Sequence, residues 1–385
     1  MLCFGDRRSP KHNRHQSYLF LKTERGFKEL IIIAYIVGHF KTLEQNLNPM
    51  NTRRDFIKSS LTASAGLALT GASLAKGRKI MEDDVKVGVI GLDTSHSPAF
   101  AKAINDPERD ATKGYRVVAA YPKGSSTIES SYERIPRYQK EYEDMGISIE
   151  TSIKKLLKKV DVVLLETNDG QLHLEQATEV IEAKKPVFVD KPVAHDLRDT
   201  IKIYDLARKN NVPLFSSSSL RYFENAEKIR GRDGIEDVLG ADTFGPMKIE
   251  PSHSDLYWYG IHGTEMLFTM LGTGCQSVRR VTIGDSELVI GEWENGVMGN
   301  FRGHLSGNAG YGGAIYHSKG TMPTGKYGGY TPLVEEIIKF FKTGKSPVSD
   351  QETLEIYAFM EAAMMSRKRD GAVVTLKEAM EEARG

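Results

Sequence analysis

The densest collection of chemically capable side chains is His253 to Glu265, H-S-D-L-Y-W-Y-G-I-H-G-T-E. Imidazole and carboxylate groups can move protons or ligate a metal, so His253, Asp255, His262 and Glu265 invite both readings. Their spacing matches no compact metal motif, and no metal site is expected. Tyr257, Trp258 and Tyr259 can offer flat apolar faces to a sugar ring, and three adjacent aromatics serve equally well as core and rim packing. Just upstream, S-S-S-S-L-R-Y-F (Ser216 to Phe223) can line a cleft, which makes Arg221 and Tyr222 candidate substrate contacts together with Asp255, Tyr257, Trp258 and His262.

These side chains need a scaffold, and the sequence describes an α/β one. V-K-V-G-V-I-G from Val85 is a β-branched apolar run ending in glycine, the pattern of a buried parallel strand turning into a helix. Tyr115 to Ala120, Asp161 to Leu165 and Lys185 to Val189 repeat it, with helical stretches between them at Ile153 to Lys159 and Leu172 to Ala183. This alternation predicts a doubly wound parallel sheet over residues 85–215. Over 216–385 the expectation is an α+β domain built on a mostly antiparallel open sheet. Within it, Glu287 to Glu292 and Val297 to Phe301 flank Glu294-Asn295-Gly296, a hairpin signal.

With 385 residues, 40% hydrophobic and 27% charged, the chain is globular and long enough for two domains. A net charge of +1 with scattered basic residues gives no footprint for nucleic acid or an anionic membrane. The two cysteines, Cys3 and Cys275, cannot make a disulfide framework, so Cys275 is expected as a buried free thiol. N-T-R-R-D-F-I-K (Asn51 to Lys58), followed by a weakly apolar run to Ala75, resembles a twin-arginine export signal. Residues 1–49 are then an upstream extension and 50–84 the signal and linker. The run is too short to span a bilayer. The expectation is a periplasmic protein, delivered by the twin-arginine export machinery without stable membrane insertion.

Two further motifs carry a family resemblance. T-N-D-G-Q-L-H (Thr167 to His173) after a strand resembles the T-P-x-x-x-H stretch of the Gfo/Idh/MocA (glucose-fructose oxidoreductase-like) family, and V-F-V-D-K-P (Val187 to Pro192) resembles its E-K-P motif. The likeness extends over roughly 85–380 through G-K-S-P-V and the helix E-T-L-E-I-Y-A-F-M-E-A-A. It implies a dinucleotide-binding domain followed by a substrate domain that oligomerises through its sheet. It also implies Lys191 at the reacting carbon, and places Thr167, Asn168, His173, Asp190 and Lys191 at the cofactor. Gly260-Ile261-His262 resembles the family's D-x-G-x-H motif, which puts His262 in the general acid/base position.

The chain departs from that pattern in three places. The expected G-x-G-x-x-G is Gly91-Leu92-Asp93-Thr94-Ser95-His96, so one glycine survives and Asp93 brings a carboxylate toward the phosphates. An altered phosphate site would use Gly91, Asp93, Thr94, Ser95 and a donating His96. Alternatively, Asp, Thr and Ser cap the helix themselves, Pro98 suits its first turn, and the cofactor is lost. After the second strand the ribose-binding acid is missing. Lys123 and Ser125, with Ser126, suit a 2′-phosphate, which favours NADP over NAD, or else form a plain turn. Finally, Trp258 stands where the family has an aspartate, with Asp255 nearby but out of register.

The leading expectation is therefore a periplasmic NAD(P)-dependent oxidoreductase of a sugar, sugar acid or cyclitol. The alternatives are a redox-assisted glycosidase or lyase, and a non-redox relative that binds a carbohydrate-like ligand.

Overall fold

The structure, a computed structural model, describes residues 84–307 and 309–385. The twin-arginine segment, the upstream extension and Cys3 lie outside the described residues. Among those described, no helix is long and apolar enough to cross a membrane.

The first sheet alternates strand and helix: β1 (Val85–Ile90), α1 (His96–Asn105), β2 (Tyr115–Tyr121), α2 (Glu129–Tyr132), α3 (Ile135–Asp144), β3 (Ser148–Ile149), α4 (Ile153–Leu157), β4 (Val162–Leu165), α5 (His173–Glu182), β5 (Val187–Val189), α6 (Leu197–Asn210) and β6 (Leu214–Phe215). Strand order is β3-β2-β1-β4-β5-β6, with the pairs parallel. The order reverses between β1 and β4, and ligands of such sheets bind at the carboxyl ends of the strands at that switch point.

Local chemistry explains the elements. The four residues of β4 are all buried, as a strand covered by helices on both faces requires. Gly88 is small because helix α4 lies directly on β1: a Cβ there would sit 2.8 Å from Leu156 Cδ2. Ser152 caps α4 through the Lys155 amide, and Asp196 caps α6 through the Asp199 amide. At its far end α6 stops on Asn211 in the left-handed region, φ 53°.

The chain continues through α7 (Ala226–Arg230), β7 (Val238–Pro246), α8 (Ile261–Leu271), β8 (Cys275–Ile283), β9 (Ser286–Trp293), β10 (Met298–His304), β11 (Gly312–His317), β12 (Gly320–Pro323), α9 (Thr331–Thr343), α10 (Asp350–Lys368), β13 (Val374–Thr375) and α11 (Leu376–Arg384). The second sheet has the order β12-β11-β7-β10-β9-β8-β13 and is antiparallel except for the β7/β10 pair. Its β9–β10 hairpin closes where Asn-Gly predicts, with Gly296 at φ 76° and its amide donating to Trp293 O. Helices α8 and α10 cover one face of the sheet. Phe268, Trp293 and Phe359 meet there, beside the free, buried Cys275.

One packing relation crosses the sequence boundary at 215/216. Leu333, Val334, Ile337, Ile338 and Phe340 of α9 pack with Val87, Phe100 and Leu164 against the parallel sheet. The chain thus returns to its first domain, and Tyr327 and Tyr330 of the approach to α9 reach the switch-point side.

Candidate active site

A cleft of about 440 Å³ opens at the carboxyl ends of the parallel strands, within the usual range for small-molecule sites. Thr94, Ser95 and His96 line it from the start of α1, Ser130, Arg134 and Asn168 from the loops after β2 and β4, and Lys191 from the end of β5. The second sheet's side contributes Lys248, Trp258, Tyr259, His262 and Tyr311, and Ser219, Leu220, Tyr327 and Tyr330 complete the wall. Three cationic side chains face the cavity, and none of the lining residues is acidic.

Lys191 and His262 are brought together here from positions far apart in sequence. No protein group among the described residues hydrogen-bonds the Lys191 ammonium. His262 is fixed by Ser218, whose hydroxyl lies 2.7 Å from Nδ1, and its ring edges meet Tyr259 and Tyr311. Burial, followed by the nearby positive charge of Lys191, drives the His262 pKa well below the ordinary value. The imidazole is therefore neutral near pH 7 and can accept a proton. Trp258 also lines the cleft, as its assignment to the substrate requires.

Several expected substrate residues are committed elsewhere. Arg221 is buried, with Nε 2.9 Å from Glu265 and Nη2 2.5 Å from Glu352, a structural ion-pair cluster. Tyr222 packs into the apolar layer beside α1 and α9, away from the cleft. Asp255 receives both terminal nitrogens of Arg280 at 2.9 Å and also pairs with Arg367, so it does not replace the missing aspartate. Tyr257 is fully buried, its hydroxyl donating to Tyr357 O. His253, held neutral by burial with a pKa lowered to about 4, accepts from the Gly170 amide. Of the four residues that invited a metal reading, His253, Asp255 and Glu265 thus serve separate structural tasks, and His262 lines the cleft.

The phosphate cradle shows the largest difference from expectation. Gly91 keeps its role: at φ 88° it lets the β1 loop approach Thr167, where a Cβ would lie 2.5 Å from the Thr167 backbone. Asp93 caps nothing on α1 and instead bridges three loops. Its Oδ2 accepts from the Ser125 amide and its Oδ1 from the Asn168 amide, both at 3.0 Å, while Arg134 reaches its carbonyl. The β2 loop presses on it so closely that a Cβ at Gly124 would be 2.0 Å from Asp93 Oδ2.

Further bonds tie the same loops. The Ser125 hydroxyl donates to Asp169 (2.8 Å), and Asn168 Nδ2 donates to Ser131 (2.8 Å). Ser125 is therefore unavailable to a 2′-phosphate, and Lys123 is exposed. Ser95 occupies the N-cap position of α1 without a side-chain cap bond, and Thr94 Oγ1 meets the His96 amide only at 3.4 Å. The self-capped helix is thus replaced by a clasp between loops.

His96 and His173 are also re-assigned. His96 is paired with Asp190, Nδ1 lying 2.6 Å from Oδ2, and its ring packs against Tyr330 and Phe100. His173 is fully buried and joins Thr167 O (2.6 Å) to Val193 O (3.1 Å), holding the β4 loop to the turn that follows the cis Lys191–Pro192 bond. No sequence motif marks Glu166 as a site residue. It is the acid that ends the buried strand β4, and a carboxylate immediately after V-V-L-L was its available signal. Arg134, Lys248, Tyr311, Tyr327 and Tyr330 had none, because only folding brings them to the cleft.

Sheet order and switch point define a Rossmann-type scaffold, with a lysine at the end of β5. Residues 85–218 match the oxidoreductase family with an NAD-binding Rossmann fold, GFO_IDH_MocA. Over residues 85–218 the chain thus carries a Rossmann domain of the Gfo/Idh/MocA type.

Solved structures share the fold at low identity. A probable dehydrogenase from Thermotoga maritima aligns with TM-score 0.62 and 20% identity, covering 77% of this chain and 100% of its own. Myo-inositol dehydrogenase from Lactobacillus casei, in complex with NAD(H) and myo-inositol, gives 0.61 and 17%, covering 76% and 96%. The WlbA dehydrogenase from Bordetella pertussis, with NADH and UDP-GlcNAcA, gives 0.60 and 17%, covering 76% and 98%. No curated protein sequence matches the chain.

The matched fold is an NAD-binding one, and its phosphate cradle is altered in this chain. A pyrophosphate needs free backbone amides and no opposing charge. Here the Asp93 carboxylate lies at the turn, the Ser125 and Asn168 amides are taken by it, and the loops that would admit the adenosine half are bonded to each other.

Proposed function

We propose that this chain is an exported member of the oxidoreductase family whose cleft binds a small, hydroxylated, anionic ligand such as a sugar acid. It exchanges protons with that ligand through Lys191 and His262, without a dinucleotide held in the family's manner. The observation that carries this reading is the Asp93 clasp standing beside an intact Lys191–His262 pair. Three cations without a facing acid favour an anion, and Trp258 and Tyr259 offer flat faces to a ring. Periplasmic location is supported by the twin-arginine-like segment alone. Assembly into a homo-oligomer is supported by the second sheet, whose uncovered face carries Leu239, Phe244, Met298 and Tyr316.

A second reading is an NAD(P)-linked oxidoreductase, or a glycosidase that oxidises and re-reduces its substrate. It is supported by the family of residues 85–218 and by relatives solved with NAD(H) or NADH. It requires the Asp93 clasp to open.

The full chain, purified and denatured, separates the two. Mass spectrometry of the released small molecules, with NAD and NADP titrations of the native protein, is expected to find neither bound nucleotide nor saturable binding. Near-stoichiometric NAD or NADP would overturn the first reading and establish the second.

A further inference from the structure

Beneath the cleft wall lies a cluster that neither reading employs. One nitrogen of His96 and one carboxylate oxygen each of Glu166 and Asp190 lie within 4.8 Å of one another, and all three residues are buried. They come from the start of α1 and the ends of β4 and β5, so the switch point itself assembles them.

Both oxygens of Glu166 and Oδ1 of Asp190 are buried without any hydrogen-bond partner. Glu166 is fully buried and Asp190 is 2% exposed. An unpartnered carboxylate in such a place is costly, and two side by side repel each other unless a proton or cation lies between them. Lys191 is near enough to act on both electrostatically, and its backbone amide turns toward Asp190, but its ammonium hydrogen-bonds neither carboxylate.

We propose that His96, Glu166 and Asp190 hold one divalent transition-metal ion at the floor of the cleft. A donor set of one imidazole and two carboxylates suits Mn²⁺, Fe²⁺ or Zn²⁺, whereas Mg²⁺ and Ca²⁺ favour oxygen alone. The 2.6 Å approach of His96 Nδ1 to Asp190 Oδ2 is close to the ~3 Å that separates neighbouring ligands of one ion at about 2.0–2.2 Å each. Three protein ligands leave coordination positions open. Because His96 lines the cavity, those positions face the place where an anionic hydroxylated ligand would enter. Such a ligand would reach the ion through its own oxygens while Lys191 and His262 handle its protons. The inference rests on the reading of the cleft without a dinucleotide.

The test uses the full chain stripped with a chelator, then exposed separately to Mn²⁺ and Zn²⁺ and freed of excess metal by gel filtration. Elemental analysis is expected to find one ion per chain. Glu166→Gln and Asp190→Asn should bind about tenfold more weakly or worse, since even the loss of an outer-layer partner costs that much. No retained ion in the wild-type chain, or wild-type binding by a folded Glu166→Gln, would overturn the proposal. Because Glu166 is buried and its variant can lose the fold, wild-type crystals soaked in Mn²⁺ give an independent answer. An anomalous peak ligated by the three side chains supports the site, and a peak elsewhere or none overturns it. Nucleotide released from the same protein is measured separately, so failure of the metal site and failure of the cleft reading leave different records.

Discussion

Asp93 occupies a turn position where glycine ordinarily lets a phosphate come close, and the structure gives its side chain a different task. Burial is the largest influence on its carboxyl group and raises the pKa from 3.8 to about 6; the Ser125 and Asn168 amides pull the other way but less strongly. The folded-state pKa therefore lies above the unfolded one. The stabilising contribution is fully present below about pH 4 and is lost as pH rises through about 6. Asp93→Asn cannot titrate. Urea unfolding of the two proteins should show wild-type stability falling relative to the variant by about 2 kcal/mol between pH 4 and pH 7.5, following roughly 1.4 kcal/mol per pKa unit. A pH-independent difference would mean that the carboxyl group stays solvated, and the clasp would have to be abandoned.

Among the elements, α8 does most to place His262, and its position depends on two glycines. A π-helical turn at Leu256–Gly260 leads into it, and Gly263 lies flat against Phe301 of β10. A Cβ at Gly263 would be 2.1 Å from Phe301 Cε2, and that ring is fully buried with no space to swing into. Alanine there gains helix propensity of about 1 kcal/mol but overpacks the contact at a typical cost of about 1–3 kcal/mol. Gly263→Ala should therefore lower the urea midpoint and, by moving the adjacent His262, weaken ligand binding in the cleft. An unchanged midpoint would show that α8 can lift off β10 without loss. The same element shows the limit of pattern reading. G-I-H-G gave the histidine's neighbourhood, whereas the Phe301 contact depends on a strand far along the chain.

For the whole molecule, the uncovered sheet face matters most. Leu239 is 64% exposed, Met298 53% and Ile283 75%, on a sheet whose other side is filled by α8 and α10. On the proposed reading this face pairs with a second copy of the chain, the self-complementary solution for an apolar surface. Light scattering is expected to give at least twice the mass of one chain. The double substitution Phe244→Asp with Met298→Asp should bring it to a monomer without unfolding. A wild-type monomer at micromolar concentration would refute assembly through this face.

The parallel strands, the β9–β10 hairpin and the free Cys275 were legible in the sequence because each depends on local composition: β-branched runs, an Asn-Gly turn, too few thiols for a framework. Lys191, Trp258 and His262 were legible as cleft residues because they stand in or beside motifs that such folds use. Tertiary structure decided the rest. It consumed Arg221, Asp255 and Tyr257 in buried ion pairs and packing, which a linear pattern cannot distinguish from a binding role. It folded α9 back on the first sheet, bringing Tyr327 and Tyr330 to a site remote from them in sequence. Sequence proposed Asp93 as either a phosphate neighbour or a helix cap. The loops after β2 and β4 made it a clasp, because their free amides lay within hydrogen-bonding reach of its buried carboxylate.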